Sequence, residues 1–314
     1  MSLIASAAVL GLAWFAAVNA AVSLLCWRSS RLVGNSVRGD VRRSRALVFL
    51  RLLPTTIAAI VSCALFVPAH VRLEPVDANE RYGVILIALA GVALFLLLRS
   101  SWRIVRLVSV SMRLAMSTRA RTDASHGIAL VDFPMLDGIA LAGVLRPRLL
   151  IGARARQALS AAELEVAIAH ELAHRRVGDN LTRVLMHVMP DFFGLTSEAM
   201  RVERLWGAEA ECLADARAVG GRRDRARNLA SALIKVARLG RAERPLSPAW
   251  SLFHEPALLE TRIRRLVECP PAVSRPRTLE QACIVCGLGI AAAWAAGIPR
   301  HLHVLSEIVL SRFP

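Results

Sequence analysis

Ser160-Ala-Ala-Glu163-Leu-Glu-Val-Ala-Ile-Ala-His170-Glu171-Leu-Ala-His174-Arg-Arg-Val177-Gly178 is the stretch on which the reading of this chain turns. Ser160 followed by Glu163 is a capping box, in which each side chain satisfies a backbone N–H that a first helical turn leaves without a partner. Leu164, Val166, Ala167, Ile168 and Leu172 follow at helical spacing, and Gly178 supplies a stop. The pattern predicts a helix from Ala161 to about Val177. On it His170 and His174 stand at i and i+4 on one face, so both imidazoles can reach a single metal ion. Glu171 projects beside the open position of such a metal, where it can take a proton from water. Two histidines that merely pack or face solvent are the plainer alternative, but HExxH on a capped helix has few uses besides metal-dependent peptide hydrolysis.

Two histidines leave a tetrahedral site one protein ligand short. The extended H-E-x-x-H-x-x-G-x-x-H pattern is excluded, because Asn180 stands where its third histidine belongs. A second predicted helix, about Ser197 to Val219 and closed by Gly220 and Gly221, carries Glu209, Glu211 and Asp215. Glu211 and Asp215 are four apart and share a face, which suits Glu211 as ligand and Asp215 as acceptor for the second ring N–H of a ligand histidine. Asp179, just beyond the first helix, is a further outer carboxylate of the same kind. Glu209 competes for the ligand role, and a solvated helix face would account for both glutamates without any metal.

The 314 residues are 55% hydrophobic and only 20% charged, too apolar for an ordinary soluble protein. Four uncharged runs approach the roughly 20 residues that cross a hydrocarbon core. They are Leu3 to Trp27, Leu52 to His70, Tyr82 to Leu98 and Gln281 to Pro299. The first lacks the basic start and small-residue cleavage site of a signal peptide, so it is read as a retained span. Loops rich in Lys and Arg stay in the cytosol. Arg28 to Arg45 holds six Arg against one Asp, and Arg99 to Arg121 holds six more with no acid. The expected architecture is mostly α with a small β-sheet, a multi-span helical membrane protein of about four transmembrane helices with a cytosolic metallopeptidase domain. Residues 1–98 carry three spans, 99–280 the cytosolic domain, 281–299 the fourth span and 300–314 an external tail; the amino terminus lies outside. His301 and His303 on that tail could sense metal or pH, but a short interfacial helix is the plainer reading.

A net charge of +16 would suggest nucleic acid in a soluble protein. Here topology and anionic lipid heads account for much of it. The basic residues lack aromatic interleaving, so no direct nucleic-acid binding is expected. The cysteines, 26, 63, 212, 269, 283 and 286, show no disulfide framework, and the C-x-x-C of Cys283 and Cys286 falls inside an apolar run. Within the cytosolic block, Arg99 to about Arg121 reads as a helical extension of the third span. Gly127 to Asp132 and Ile139 to Ile151 read as two or three short strands. Further helices are expected over Leu181 to Met189, Asp224 to Leu239 and Ala257 to Val267, with a Pro-rich loop from Ala242 to Pro256.

Three stretches together carry a resemblance: Gly143-Val-Leu-Arg-Pro-Arg-Leu-Leu-Ile151, His170-Glu-Leu-Ala-His174-Arg-Arg-Val-Gly-Asp179-Asn180 and Ala208-Glu-Ala-Glu-Cys-Leu-Ala-Asp-Ala-Arg-Ala-Val219. In them the chain resembles the M56 metallopeptidases, relatives of the β-lactam sensor-transducers BlaR1 and MecR1, and the order of spans matches as well. The resemblance implies a gluzincin-type fold, one Zn2+ per chain held by His170, His174 and Glu211, and Glu171 as general base. It also implies a bacterial-type cytoplasmic membrane and a regulatory protein substrate on its cytosolic side, such as a repressor. BlaR1-type sensors place a penicillin-binding domain outside after the fourth span, where this sequence has only residues 300–314, so sensing by that route is not expected. Leu252 to Leu266, with His254, Pro256 and Arg262, is also similar to a region of the related M48 quality-control peptidases. Many of those insert spans between the HExxH helix and the third ligand, and none lies between His174 and Glu211. A non-catalytic transducer is the third alternative.

In the expected mechanism the metal acidifies a water and polarises the scissile carbonyl, and Glu171 moves the proton to the leaving amine. Gly143, Val144 and Leu145 could pair with an extended substrate as an edge strand does. His187, His254 or Arg262 could steady the oxyanion, though a lone His or Arg more often serves the fold.

Overall fold

The computed structural model describes residues 3–73, 83–117, 121–123, 128–133, 136–144, 147–240, 256–268, 292–294 and 296–312. Among them the chain is mostly helical, with one small sheet. Helix α1 covers Leu3–Ser30. Helix α2, Val41–Ala59, runs on through a π-helical stretch, Ile60–Phe66, into α3, Val67–Leu73. Helix α4 covers Val84–Ser117. Three segments, Ile4–Ser30, Val41–Leu73 and Val84–Ser109, are long and apolar enough to cross a membrane. They overlap the first three expected spans, and α4 continues past Arg99 to Ser117, through most of the helical extension expected to about Arg121. The expected fourth span lies outside the described residues except for 292–294 and 296–299.

These helices meet through small side chains. Ala13, Ala16, Ala58 and Ala93 are almost fully buried, and the Ser62 hydroxyl donates to the Gly11 carbonyl at 2.6 Å. Small residues let helix backbones approach closely where lipid removes the hydrophobic drive for association. The second long helix begins well ahead of Leu52, because Asp40 caps it by accepting from the Arg42 N–H. Its charged first half packs against residues 186–210, where Leu47 meets Met186, Phe193 and Trp206. Arg51, 1% exposed, is held there by Asp191 and Glu203, both at 2.7 Å.

Strands β1 (Arg121–Asp123), β2 (Ile128–Asp132), β3 (Ile139–Ala142) and β4 (Arg148–Ile151) form a sheet in the order β1-β2-β4-β3. β1 with β2 and β3 with β4 are antiparallel, and β2 with β4 is parallel, so β3 is an edge. Neither β1, a three-residue polar strand that begins where the helical extension was expected to end, nor the short helix α5, Ala153–Ala158, was expected from the sequence.

Helix α6, Ala161–Val177, lies across the sheet, where Ile168 packs with Leu149 and Ile151. Both halves of its capping box form, and Gly178 ends it at φ 73°, a conformation open to glycine at little cost. Helix α7, Asp179–Val188, follows at once, then a 3-10 turn, Phe193–Leu195. Helix α8, Ser197–Val219, is central. One side packs Val202, Trp206 and Ala210 with Cys26 and Leu47, and its end joins Val166, Leu229 and Leu266. Helices α9, Arg223–Gly240, and α10, Pro256–Glu268, close that second cluster. The last helix, α11, Ile298–Arg312, packs near α1, where Trp14 donates to the Ser306 hydroxyl at 2.7 Å.

Candidate functional site

Helices α6 and α8 bring His170, His174 and Glu211 together, with one ligand atom of each within 4.8 Å of the others. The two Nε2 atoms are 3.2 Å apart. Glu211 Oε2 is 3.4 Å from His170 Nε2, and Oε1 is 3.5 Å from His174 Nε2. Two imidazole nitrogens and a carboxylate at this spacing are a donor set suited to a metal ion. Both histidines are 6% exposed.

The outer ring nitrogens face carboxylates. His174 Nδ1 is 2.7 Å from Asp179 Oδ2, and His170 Nδ1 is 2.9 Å from Asp215 Oδ1, close but out of line for a good hydrogen bond. Such partners fix a ligand histidine's ring orientation and tautomer. They also shift the protonation equilibria of the two rings. Burial would lower the His174 pKa, but Asp179 and Glu211 outweigh it and raise it to about 10. Burial would likewise lower that of His170, and Asp215 and Glu211 raise it. Burial would raise the Glu211 pKa, but Arg262 and the imidazoles hold it well below the ordinary range. Asp215 is held at about 2 against the same burial by Arg262 and His170.

Glu171 points from α6 toward the sheet edge, where its Oε2 accepts the Leu141 N–H at 3.0 Å. The surrounding protein pushes its pKa up, against the pull of the two histidines. Asn180, at the start of α7, donates to the Leu141 carbonyl at 3.1 Å and the Gly143 carbonyl at 2.9 Å. These groups belong to the outer edge of β3 and to Gly143 just beyond it, so the strand beside the histidines is held by side chains of α6 and α7. Sequence reasoning missed Asn180, whose position gives no sign of β3 lying above it.

Glu209 points elsewhere. Its carboxylate, 1% exposed, accepts the successive N–H groups of Arg38 at 2.9 Å, Gly39 at 2.5 Å and Asp40 at 3.1 Å, with Arg43 Nε at 3.1 Å. Burying a carboxylate costs several kcal/mol unless its lone pairs are satisfied, and here the loop ahead of α2 satisfies them. Glu209 is therefore committed to that loop and Glu211 to the histidines.

Of the residues considered for the oxyanion, Arg262 is 9% exposed and sits against carboxylates, Asp215 at 2.7 and 2.8 Å and Glu211 at 2.9 Å. His187 is exposed on the last turn of α7, where its carbonyl accepts from Arg103 at 2.6 Å. His254 lies outside the described residues, as does Leu145 of the expected substrate strand, whereas Gly143 and Val144 follow β3 directly.

Long apolar helices thus stand beside a buried cluster of two histidines and a carboxylate whose ligand atoms could hold one metal ion. A family model described as BlaR1 peptidase M56 matches residues 7–266, and the chain belongs to this peptidase family. No curated protein matches it.

Proposed function

We propose that the chain is a zinc-dependent endopeptidase embedded in a bacterial-type cytoplasmic membrane, with its catalytic centre on the cytosolic side and a regulatory protein as substrate. The observation that carries the reading is the convergence of Glu211 on both imidazoles, from a helix well separated in sequence from theirs. Membership of a peptidase family supports it. The cytosolic placement rests on the arginine-rich loops, which favour that side. The division at residues 98, 280 and 299 rests on the bounds of the apolar runs.

His170, His174 and Glu211 would hold the zinc ion, and Asp215 and Asp179 would keep the two rings oriented. When bound, the ion supplies Lewis acidity toward water and toward a peptide carbonyl. Glu171 has one carboxylate oxygen on Leu141 and the other free to accept the proton of an attacking water and return it to the leaving amine. The edge strand β3 would align an extended substrate at its continuation, Gly143 and Val144, because Glu171 and Asn180 already hold the outward-facing groups of Leu141 and the Gly143 carbonyl.

The test is zinc content and proteolysis of the purified full chain in detergent, with labelled casein as the probe substrate. One zinc per chain is expected. Glu171→Gln should retain the zinc and lose cleavage by at least about a hundredfold, in line with removal of a general base. Undiminished cleavage by that variant would exclude the mechanism.

A further inference from the structure

We infer that Arg262 is a positioning residue of the metal centre: one guanidinium fixes both the carboxylate ligand Glu211 and the carboxylate that stands behind His170. This inference rests on the zinc-peptidase reading above.

Each nitrogen of Arg262 meets a carboxylate. Nε and Nη2 form a fork on Asp215, at 2.8 and 2.7 Å, and Nη1 reaches Glu211 Oε2 at 2.9 Å. Asp215 Oδ1, the oxygen that takes Nη2, is also the one 2.9 Å from His170 Nδ1. One side chain thus touches the third ligand directly and the first ligand through a single intermediary.

Glu211 and Asp215 are one turn apart on α8, and like charges at that spacing repel. Both are largely withdrawn from water, where the repulsion is less screened. A planar, permanently charged fork lying between them offsets the repulsion and restricts both side chains to the rotamers that face the histidines. Lysine, a point charge on a flexible stem, cannot hold two carboxylates in one plane.

The fork itself arrives on a fixed support. One turn further along α10, Arg265 donates to the carbonyls of Val37, at 3.4 Å, and Arg38, at 2.6 Å. Those residues belong to the loop that Glu209 of α8 grips through its N–H groups. Helices α8 and α10 are therefore tied to one loop and to one another across the site, and Arg262 is the member of that frame that reaches the ligands.

The experiment compares wild type, Arg262→Lys and Arg262→Gln as full chains in detergent. Zinc affinity is read by competition with a chromogenic chelator, ligand geometry by the visible spectrum of the cobalt-loaded protein, and fold by metal-free thermal unfolding. The expected result is a loss of zinc affinity of roughly 10- to 100-fold in Arg262→Gln, the range typical of removed outer partners of metal ligands, with a smaller loss in Arg262→Lys. An altered cobalt spectrum should accompany it. Should Arg262→Gln fail to fold, Arg262→Lys decides alone, since it keeps the positive charge. Wild-type affinity and spectrum in a folded Arg262→Lys, with or without a lowered melting temperature, overturn the inference. A wild-type chain that takes up neither zinc nor cobalt overturns the peptidase reading itself.

Discussion

Glu171 accepts a hydrogen bond from the backbone N–H of Leu141 at 3.0 Å, which joins the acid of the histidine helix to the outer edge of the sheet. Asn180 strengthens the join by holding the carbonyls of Leu141 and Gly143. The distance between the edge strand and the histidines is thus set by side chains, and the strand that would align a substrate is the strand that orients the proposed base.

Asn180→Ala removes both donors while leaving all three proposed ligands intact. Losing two hydrogen bonds to partly buried carbonyls should cost about 1–3 kcal/mol of stability. Cleavage should fall by at least about tenfold as β3 and Glu171 lose their common register, since small misplacements at a reacting centre are costly. Zinc content should stay near that of wild type. Equal loss of zinc and of cleavage would show that Asn180 supports the metal centre instead of the strand.

Glu209→Ala should act in the opposite way. It would strand three backbone N–H groups and Arg43 around a cavity, and breaking a buried ion pair from one side typically costs about 3–5 kcal/mol. For a domain of this size the melting temperature should drop by on the order of 10 °C. Zinc stoichiometry of the folded fraction should be unchanged, whereas Glu211→Ala should abolish it. Loss of zinc from Glu209→Ala at a temperature where the protein is folded would contradict this division of roles.

The same two glutamates show where the sequence is legible and where it is not. Helix α6 could be read residue by residue, because its cap, its apolar spacing and its stop are all local. The pairing of Glu211 with Asp215 on one face was also local, a matter of helical period. What excludes Glu209 is a loop some 170 positions away in the chain, which no periodicity reports. Arg262 and Asn180 have the same character, since their partners lie on elements placed by tertiary packing. Strand β1 and helix α5 escaped notice because three polar residues and the six residues Ala-Arg-Ala-Arg-Gln-Ala carry too short a pattern.

Gly39 makes the loop beneath Glu209 possible. Its φ is 63°, and a Cβ there would run into Arg265 Nη2. Gly39→Val should destabilise the protein by about 2 kcal/mol or more, because a β-branched residue resists the left-handed conformation and the guanidinium must give way. Gly39→Asn, which tolerates that conformation better, should recover part of the loss in a thermal unfolding series. Equal stability of the two variants would place the cost in the contact with Arg265 and not in the backbone.

Acid stability can be traced to the start of the histidine helix. Glu163 Oε2 accepts from the Ser160 N–H and from Lys235, each at 2.7 Å, and Oε1 accepts from the Ser231 hydroxyl at 2.5 Å. Burial would raise its pKa, but Lys235, Ser231 and Ser160 bring it from 4.5 down to about 2. The folded value lies below the unfolded one, so the stabilisation is complete above about pH 4.5 and disappears as the pH falls through about 2. Glu163→Gln should lower stability by roughly 1 kcal/mol at neutral pH through the weakened cap. The difference in melting temperature between wild type and Glu163→Gln should shrink steadily from pH 5 toward pH 2.5, because protonation makes the two side chains alike. A difference that stays constant over that range would assign the cap's contribution to shape and not to charge.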